Sequence, residues 1–268
     1  MLDFVKAHAY GNDFLYVRED DVRPGEEPAL ARALCDRHAG AGADGLILFR
    51  VTAEGAAMHL FNADGSFSEV SGNGVRGLAA ILARQRGLRP GAPEPRPSVT
   101  IDTDAGVKVL SLLDQAGDRL VFRAAMGLPT DIRLSQIDVA GELIEAVTLR
   151  VGNPQCVLLE PLLDEKRYRR LGPLLEHHAA FPEGTNVEFA QVESPDRVTI
   201  LIWERGVGPT LASGTGACAA GVAAMAYGGA ARSLDVQSPG GTQRVEWTDG
   251  GLFLTGWAEV LYQGRWKG

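Results

Sequence analysis

Eleven residues without a charged side chain, Ala217 to Tyr227, follow the turn Ser213-Gly214-Thr215-Gly216. Small and apolar on every side, this run predicts a helix buried all round rather than one lying on a surface. Such a helix needs cover in every direction, so it calls for a sheet that curls about it. The N–H groups of its first turn have no partner within the helix, and the glycine-rich opening leaves them facing a cavity. Dipole and donors together make that end a site for an anion. The preceding strand end, Trp203-Glu204-Arg205, is expected to border the same cavity.

The chain contains this arrangement twice. Ser71-Gly72-Asn73-Gly74 opens a second small, mostly apolar run, Val75 to Ala83. A spacing of 142 residues separates Ser71 from Ser213, Gly42 from Gly184, Asp44 from Asn186 and Asn62 from Glu204, while Gly11-Asn12 and Gly152-Asn153 lie 141 apart. A recurrent offset of about half the chain reads as an internal duplication, with a period far too long for a solenoid.

The totals of this 268-residue chain are those of a soluble globular protein, with 45% hydrophobic and 22% charged residues. A net charge of −8 argues against nucleic acid or an anionic membrane as partner. Cys35, Cys156 and Cys218 are odd in number and contain no Cys-x-x-Cys, so neither a disulfide framework nor a zinc site is expected. Set among apolar neighbours, they read as packed thiols. The five histidines show no metal-ligand spacing, and there is no phosphate-binding loop and no lysine in a cofactor-like context. Met1 to Phe14 has no apolar core, so a signal peptide is not expected. Leu211 to Tyr227 falls slightly short of a membrane span. The expected setting is a cytoplasmic enzyme with no metal and no cofactor.

Short strands are predicted over Phe4–Ala7 and Phe14–Val17, around a turn at Gly11-Asn12-Asp13. A helix follows over Pro28–His38, then strands over Leu46–Val51 and Met58–Phe61. Gly40-Ala41-Gly42-Ala43-Asp44-Gly45 matches G-x-G-x-x-G, but a helix precedes it and a strand follows, the reverse of a dinucleotide site. Residues 87–98 read as an exposed connection, followed by strands over Val99–Thr103, Val107–Leu113 and Arg119–Ala124. The second half opens near Met126. It offers strands at Val147–Val151 and Cys156–Leu159, a helix over Leu162–His177, and strands over Gly184–Phe189 and Arg197–Trp203. After its central run come strands at Leu234–Gln237, Gln243–Trp247, Leu252–Thr255 and Ala258–Tyr262. The expected class is α+β: two pseudo-symmetric halves, each a curled, mostly antiparallel sheet around a central apolar helix. The halves are expected over residues 1–120 with a returning strand at about 258–268, and over 121–257, with the two helix N-termini meeting at a cleft.

Asn12, Asn62, Asn73, Asn153, Asn186, Glu204, Arg205, Thr215, Ser71 and Ser213 gather near that cleft. Taken singly, each asparagine is a turn-capping residue; their joint placement at repeated turns points to a ligand. Helix ends suit a carboxylate, Asn carbonyls and Glu204 an ammonium group, and Arg205 a second carboxylate. The ligand class is a small zwitterion.

Several segments together resemble the diaminopimelate epimerase family. They are Phe4-Val5-Lys6-Ala7-His8-Ala9-Tyr10-Gly11-Asn12-Asp13-Phe14, Asp36-Arg37 through Gly42-Ala43-Asp44-Gly45, Asn62-Ala63-Asp64-Gly65-Ser66, Ser71-Gly72-Asn73-Gly74, Gly152-Asn153-Pro154, Gly184-Thr185-Asn186-Val187-Glu188 and Glu204-Arg205-Gly206. The resemblance covers essentially the whole chain. It implies paired sheet-and-helix domains and cofactor-independent, pyridoxal-phosphate-free interconversion of diaminopimelate stereoisomers in lysine biosynthesis. It places substrate contacts on Asn12, Asn62, Gly72, Asn73, Asn153, Asn186, Glu204, Arg205, Gly214 and Thr215, and makes a homodimer the expected assembly.

The family's mechanism uses two cysteines, one on each face of the α-carbon. The resemblance puts Ser71 and Ser213 at those positions, and Gln155 where a histidine is usual. Inversion without a cofactor needs a group on each face, because a single fixed base returns the proton to its own side. A thiol lies near its active range at about pKa 8.5, lower at a helix N-terminus. A hydroxyl is a far weaker acid and needs an adjacent base. Gln155 is no base; Glu204 could assist Ser213; Ser71 has no evident activator. Three readings therefore stay open: an epimerase-type protein slowed or silenced by the serines, an isomerase with Glu204 as its one acid/base, and a non-catalytic amino-acid binder.

Overall fold

The computed structural model describes residues 1–91 and 96–268. Two compact units divide the chain, Met1–Ala124 with Gly256–Gly268, and Ala125–Thr255.

In the first unit, β1 (Leu2–Ala9) turns through Tyr10 and Gly11 into its antiparallel partner β2 (Asn12–Arg18). Both turn residues have positive φ, 55° and 87°, the geometry a two-residue hairpin needs. Helix α1 (Glu27–Cys35) leads to β3 (Gly45–Val51), parallel to β2. Then come β4 (Gly55–Asn62), short β5 (Phe67–Ser68), α2 (Gly72–Gln85), β6 (Ser98–Thr103) parallel to β4, β7 (Gly106–Ala116) and β8 (Arg119–Gly127).

The second unit runs through the same series. β9 (Thr130–Val139) pairs with β10 (Glu142–Val151), which turns at Gly152 into β11 (Asn153–Leu159). Helix α3 (Glu165–Glu176) precedes β12 (Asn186–Ser194), parallel to β11. Next are β13 (Arg197–Glu204), β14 (Gly208–Thr210), α4 (Gly214–Tyr227), β15 (Ser233–Ser238) parallel to β13, β16 (Gly241–Thr248) and β17 (Gly251–Trp266). The end of β17 returns to the first unit and pairs with β1. Both central helices are 14 residues long, and the order of parallel and antiparallel joins is the same in each unit.

The sheets are middle layers. In β12, Val187 and Phe189 pack outward on Tyr168, Leu171 and Leu175 of α3. Ala190 packs inward with Val157, Ile200, Ile202 and the α4 residues Ala217 to Ala224. In the first unit Leu15, Val17, Leu46 and Leu48 pack on Ala31 and Leu34 of α1. The alternate residues face α2, where the Tyr16 hydroxyl donates to the Gly74 carbonyl at 2.9 Å. Burial on both faces explains why these strands read as continuous apolar runs. Residues Asn73 through Ala83 of α2 are all buried, Arg76 among them.

Several boundaries differ from those expected. Helix α1 ends at Cys35, not His38, because the Asp36 carboxylate accepts the His38 and Ala39 amides at 2.7 Å and turns the chain. Helix α3 starts at Glu165 rather than Leu162, capped by Asp164. The strands expected at Leu252–Thr255 and Ala258–Tyr262 are one strand. Gly256 makes no turn there; a Cβ on it would lie 2.8 Å from Tyr10 Oη and 3.2 Å from Arg76 Cζ. Close neighbours, not chain reversal, require that glycine. Strand β9 was absent from the expectation altogether. Part of the expected connection 87–98 lies outside the described residues.

Gly77 tests the packing of α2. A glycine inside a helix is normally improved by alanine, by about 1 kcal/mol. Here a Cβ would sit 2.1 Å from Tyr16 Oη, so Gly77→Ala should instead destabilise by roughly 1–3 kcal/mol. Calorimetric melting should show a lower Tm, partly restored by adding Tyr16→Phe. A Gly77→Ala protein melting at or above the wild type would contradict this packing.

Candidate active site

Each central helix begins on a serine. Ser71 Oγ accepts the Gly74 amide at 3.2 Å, and Ser213 Oγ accepts the Gly216 amide at 3.2 Å. Both caps are extended, with φ −124° and −132°. This is the N-cap bond that satisfies one of the orphan donors of a first turn. Ser213 Oγ also lies 3.5 Å from Thr215 Oγ1.

In the first unit the hairpin turn delivers Asn12 as the first residue of β2. Asn73, buried on α2, donates to Asn12 Oδ1 at 3.3 Å and accepts from Arg76 Nη1 at 3.0 Å. Asn12 donates in turn to Asp44 Oδ2 at 2.8 Å. Asp44 is held by Arg37 at 2.8 Å, and Arg37 and Lys6 both pair with Asp13, at 2.7 and 2.8 Å. Burial opposes ionisation of Asp13, but hydrogen bonds from Arg37 and Lys6 outweigh it and hold its carboxyl below the usual range. Asn73 and Asn12 thus form one braced group beside the Ser71 cap. Asn62, at the end of β4, donates to Ser66 Oγ at 2.9 Å in its own turn. A side chain at Gly72 would meet nothing within 4 Å, so space adjoins that first turn.

In the second unit, strand alternation places Asn153, Gln155, Asn186, Glu188 and Glu204 on the sheet face that Val157, Ala190 and Ile202 turn to α4. They stand at the end of the sheet where α4 begins. Asn186 Oδ1 accepts the Arg205 amide at 3.0 Å, and its Nδ2 donates to the Pro154 carbonyl at 3.1 Å. Glu204 accepts from Thr210 Oγ1 at 2.7 Å. Arg205 Nη1 donates to the Glu183 carbonyl at 2.8 Å, so in this structure its guanidinium is tied to the neighbouring loop. The Ser213 carbonyl accepts from Gln243 at 3.4 Å. A Cβ on Gly214 would touch Leu254 at 3.2 Å.

Two acidic residues escaped the sequence reading. Glu176, near the end of α3, accepts the Trp203 indole N–H and the Gly206 amide, each at 2.7 Å. It pins the turn that carries Glu204 and Arg205. Burial works against its ionisation, yet those two donors hold its carboxyl below the usual range. Glu188 is 0% exposed, and burial, with Glu204 nearby, pushes its carboxyl well above the usual range. A glutamate on a buried face of a strand was the available signal. The cysteines offer no substitute for active-site thiols: burial raises Cys35 to about 12 and also raises Cys156, and Cys218 is buried on α4.

A family model described as diaminopimelate epimerase matches residues 4–130 and 147–261. The chain belongs to the diaminopimelate epimerase family. It is 41% identical to the diaminopimelate epimerase of Desulforudis audaxviator over 99% of each chain. It is 38% identical to that of a Synechocystis strain, over 98% of each. In fold it is similar to a predicted epimerase from Pseudomonas aeruginosa, with a TM-score of 0.73 at 14% identity over the full length of both. Among the described residues no helix is long and apolar enough to cross a membrane.

The bracing by Glu176 has a pH signature. A carboxyl with a depressed folded pKa contributes stability above its unfolded value, near 4.5, and loses it as pH falls. Glu176→Gln should therefore destabilise at pH 7 by about 1.5–3 kcal/mol, the range for hydrogen bonds to charged groups. The gap should narrow when unfolding is measured below pH 4. A gap of constant size across that range would show that the charge on Glu176 does nothing for the turn.

Proposed function

We propose that this protein interconverts stereoisomers of diaminopimelate without a cofactor, by removing and returning the α-proton. One observation carries the reading: the same serine-capped, glycine-opened helix tip occurs at the same place in two copies of one fold. Family membership supplies the substrate class, a small amino acid. The tips would hold a carboxylate and stabilise the charge that spreads onto it as the proton leaves. Asn12, Asn73, Asn153 and Asn186 would fix the amino acid, and Arg205 a second carboxylate once released from Glu183.

Ser71 and Ser213 take the positions of the acid/base pair, with unequal support. In the second unit Glu204 stands at the strand end beside α4, a base able to activate a neighbouring hydroxyl. The corresponding residue in the first unit is Asn62, which cannot. Gln155 orients and does not accept a proton. One face of the α-carbon is therefore served better than the other, so exchange should outrun inversion. Lysine and cell-wall precursor synthesis in the cytoplasm, and a homodimeric assembly, follow from the resemblance.

Incubation of LL-diaminopimelate in deuterium oxide tests this. The expected result is deuterium at the α-carbon appearing faster than the meso isomer. Ser71→Cys combined with Ser213→Cys should raise epimerisation by roughly 10²-fold or more, the scale of well-placed acid/base catalysis. Exchange with no inversion even in the double variant would favour the one-carboxylate isomerase built on Glu204. Failure of diaminopimelate to bind would end the substrate assignment.

A further inference from the structure

The duplicated fold carries its own control. Parallel pairing sets Phe14 opposite Gly45 in the first unit and Gln155 opposite Asn186 in the second. Gln155 thus occupies the place of Phe14, Asn186 that of Gly45 rather than of Asp44 as the 142-residue spacing suggests, and Glu188, two residues on, that of Ile47. The helices agree. A Cβ on Gly74 would lie 2.7 Å from Ile47 Cδ1, and one on Gly216 would lie 2.7 Å from Glu188 Oε1. Both side chains seat against the third residue of a central helix.

One copy fills this seat with apolar side chains, and the other with an amide and a carboxyl. Gln155 Nε2 donates to Asn153 Oδ1 at 2.6 Å, which turns its carbonyl oxygen toward the two carboxyl oxygens of Glu188, at 3.0 and 3.2 Å, a contact that a protonated carboxyl satisfies by donating. The same fold forms without these polar groups in the sister unit, so the fold does not require them. Burying them is costly, and replacing such pairs by apolar residues is often neutral or stabilising. Their retention points to chemistry.

The surroundings say which. Glu188 is opposite Ile202, so Glu204, two residues on, shares its face of the sheet. The first turn of α4 lies directly over Glu188. Ionised, Glu188 would place a fixed anion behind that turn, compete with any carboxylate at the helix tip, and repel Glu204. We propose that Glu188 is a positioning residue of this half-site: a neutral carboxyl, it leaves the charge to Glu204 and leaves the tip of α4 free for a substrate carboxylate. This deepens the epimerase reading and rests on it.

Burial and the Glu204 charge both favour the neutral form. Of the other titratable groups on elements packed against Glu188, Cys218 lies on α4 and Cys156 on the opposite face of β11, while Arg197 of β13 and Tyr227 of α4 stand at the far ends of their elements. Cys156 is itself raised by burial and by Glu188. Binding of a carboxylate at the helix tip should further favour the proton on Glu188, so substrate binding and proton uptake are linked in the pH range where Glu188 titrates.

Calorimetric titration with LL-diaminopimelate from pH 6 to 10, in buffers of different ionisation heat, measures that linkage. Wild type should lose affinity up to tenfold per pH unit above the Glu188 titration, with uptake approaching one proton. Glu188→Gln should lack that component, leaving the contribution of the substrate amine common to both proteins. Ligand-free unfolding gives a second measure. A raised folded pKa means stability present below about pH 4.5 and lost as pH rises toward the folded value, so wild type should fall behind Glu188→Gln over that window. If Gln at 188 disturbs folding, Gln155→Phe with Glu188→Ile recreates the sister pair. It should fold at least as stably and bind without the linkage. Equal pH dependence and equal proton uptake in wild type and variant would overturn the role of Glu188 alone. No binding by wild type, with the unfolding gap as expected, would overturn the epimerase reading and with it the purpose of the neutral carboxyl.

Discussion

The constraint on which this molecule depends is the need to satisfy the first turn of a helix that is buried on all sides. Four N–H groups at such an end have no partner within the helix. Ser71 and Ser213 each answer one of them, by accepting from the glycine three residues on. Two glycines and a small polar residue in each opening keep the turn uncrowded. Everything else in each unit follows from covering the helix behind that turn: a sheet on every side, small residues where strands approach closely, and polar residues confined to the end where the helix begins.

Duplication alone would give two equivalent ends, and the structure departs from that in a consistent direction. Asn62, Phe14 and Ile47 in the first unit correspond to Glu204, Gln155 and Glu188 in the second. The second unit has gathered the acidic groups and the braces that govern them, Glu176 beneath the turn and Gln155 beside Glu188. The first unit instead braces its asparagines from outside the helix tip, through Asp44, Arg37, Asp13 and Lys6. Under the proposed function this asymmetry would give one serine hydroxyl a base within its unit and the other only a hydrogen-bonded scaffold.

Much of this was legible in the sequence. The 142-residue offset located where both central helices begin, and periodicity located most strands, because apolar runs and glycine turns are local signals. The helix before the G-x-G-x-x-G segment and the strand after it were legible from the same local signals. What escaped depends on tertiary context. Strand β9 alternates Ile132 and Leu134 on one side, but the pattern breaks at Ser135-Gln136, and Arg133 and Asp138 disguise it. Gly256 reads as a turn unless Tyr10 and Arg76 are known to crowd it. Glu176 and Glu188 sit in apolar-looking stretches, and their roles depend on partners 27 and 30 residues away in one case and on another strand in the other. The buried strand face marked Glu188 along the chain, but the partners that define either role did not.

The central proposal is that the serine-capped helix tips are anion sites for the substrate amino acid. Amide chemical shifts report it directly: backbone resonances of Gly72 to Gly74 and Gly214 to Gly216 can be followed by nuclear magnetic resonance while diaminopimelate is added. The account predicts that both sets move, with one shared dissociation constant. Movement of only one set, or of neither while the ligand binds elsewhere, would contradict it.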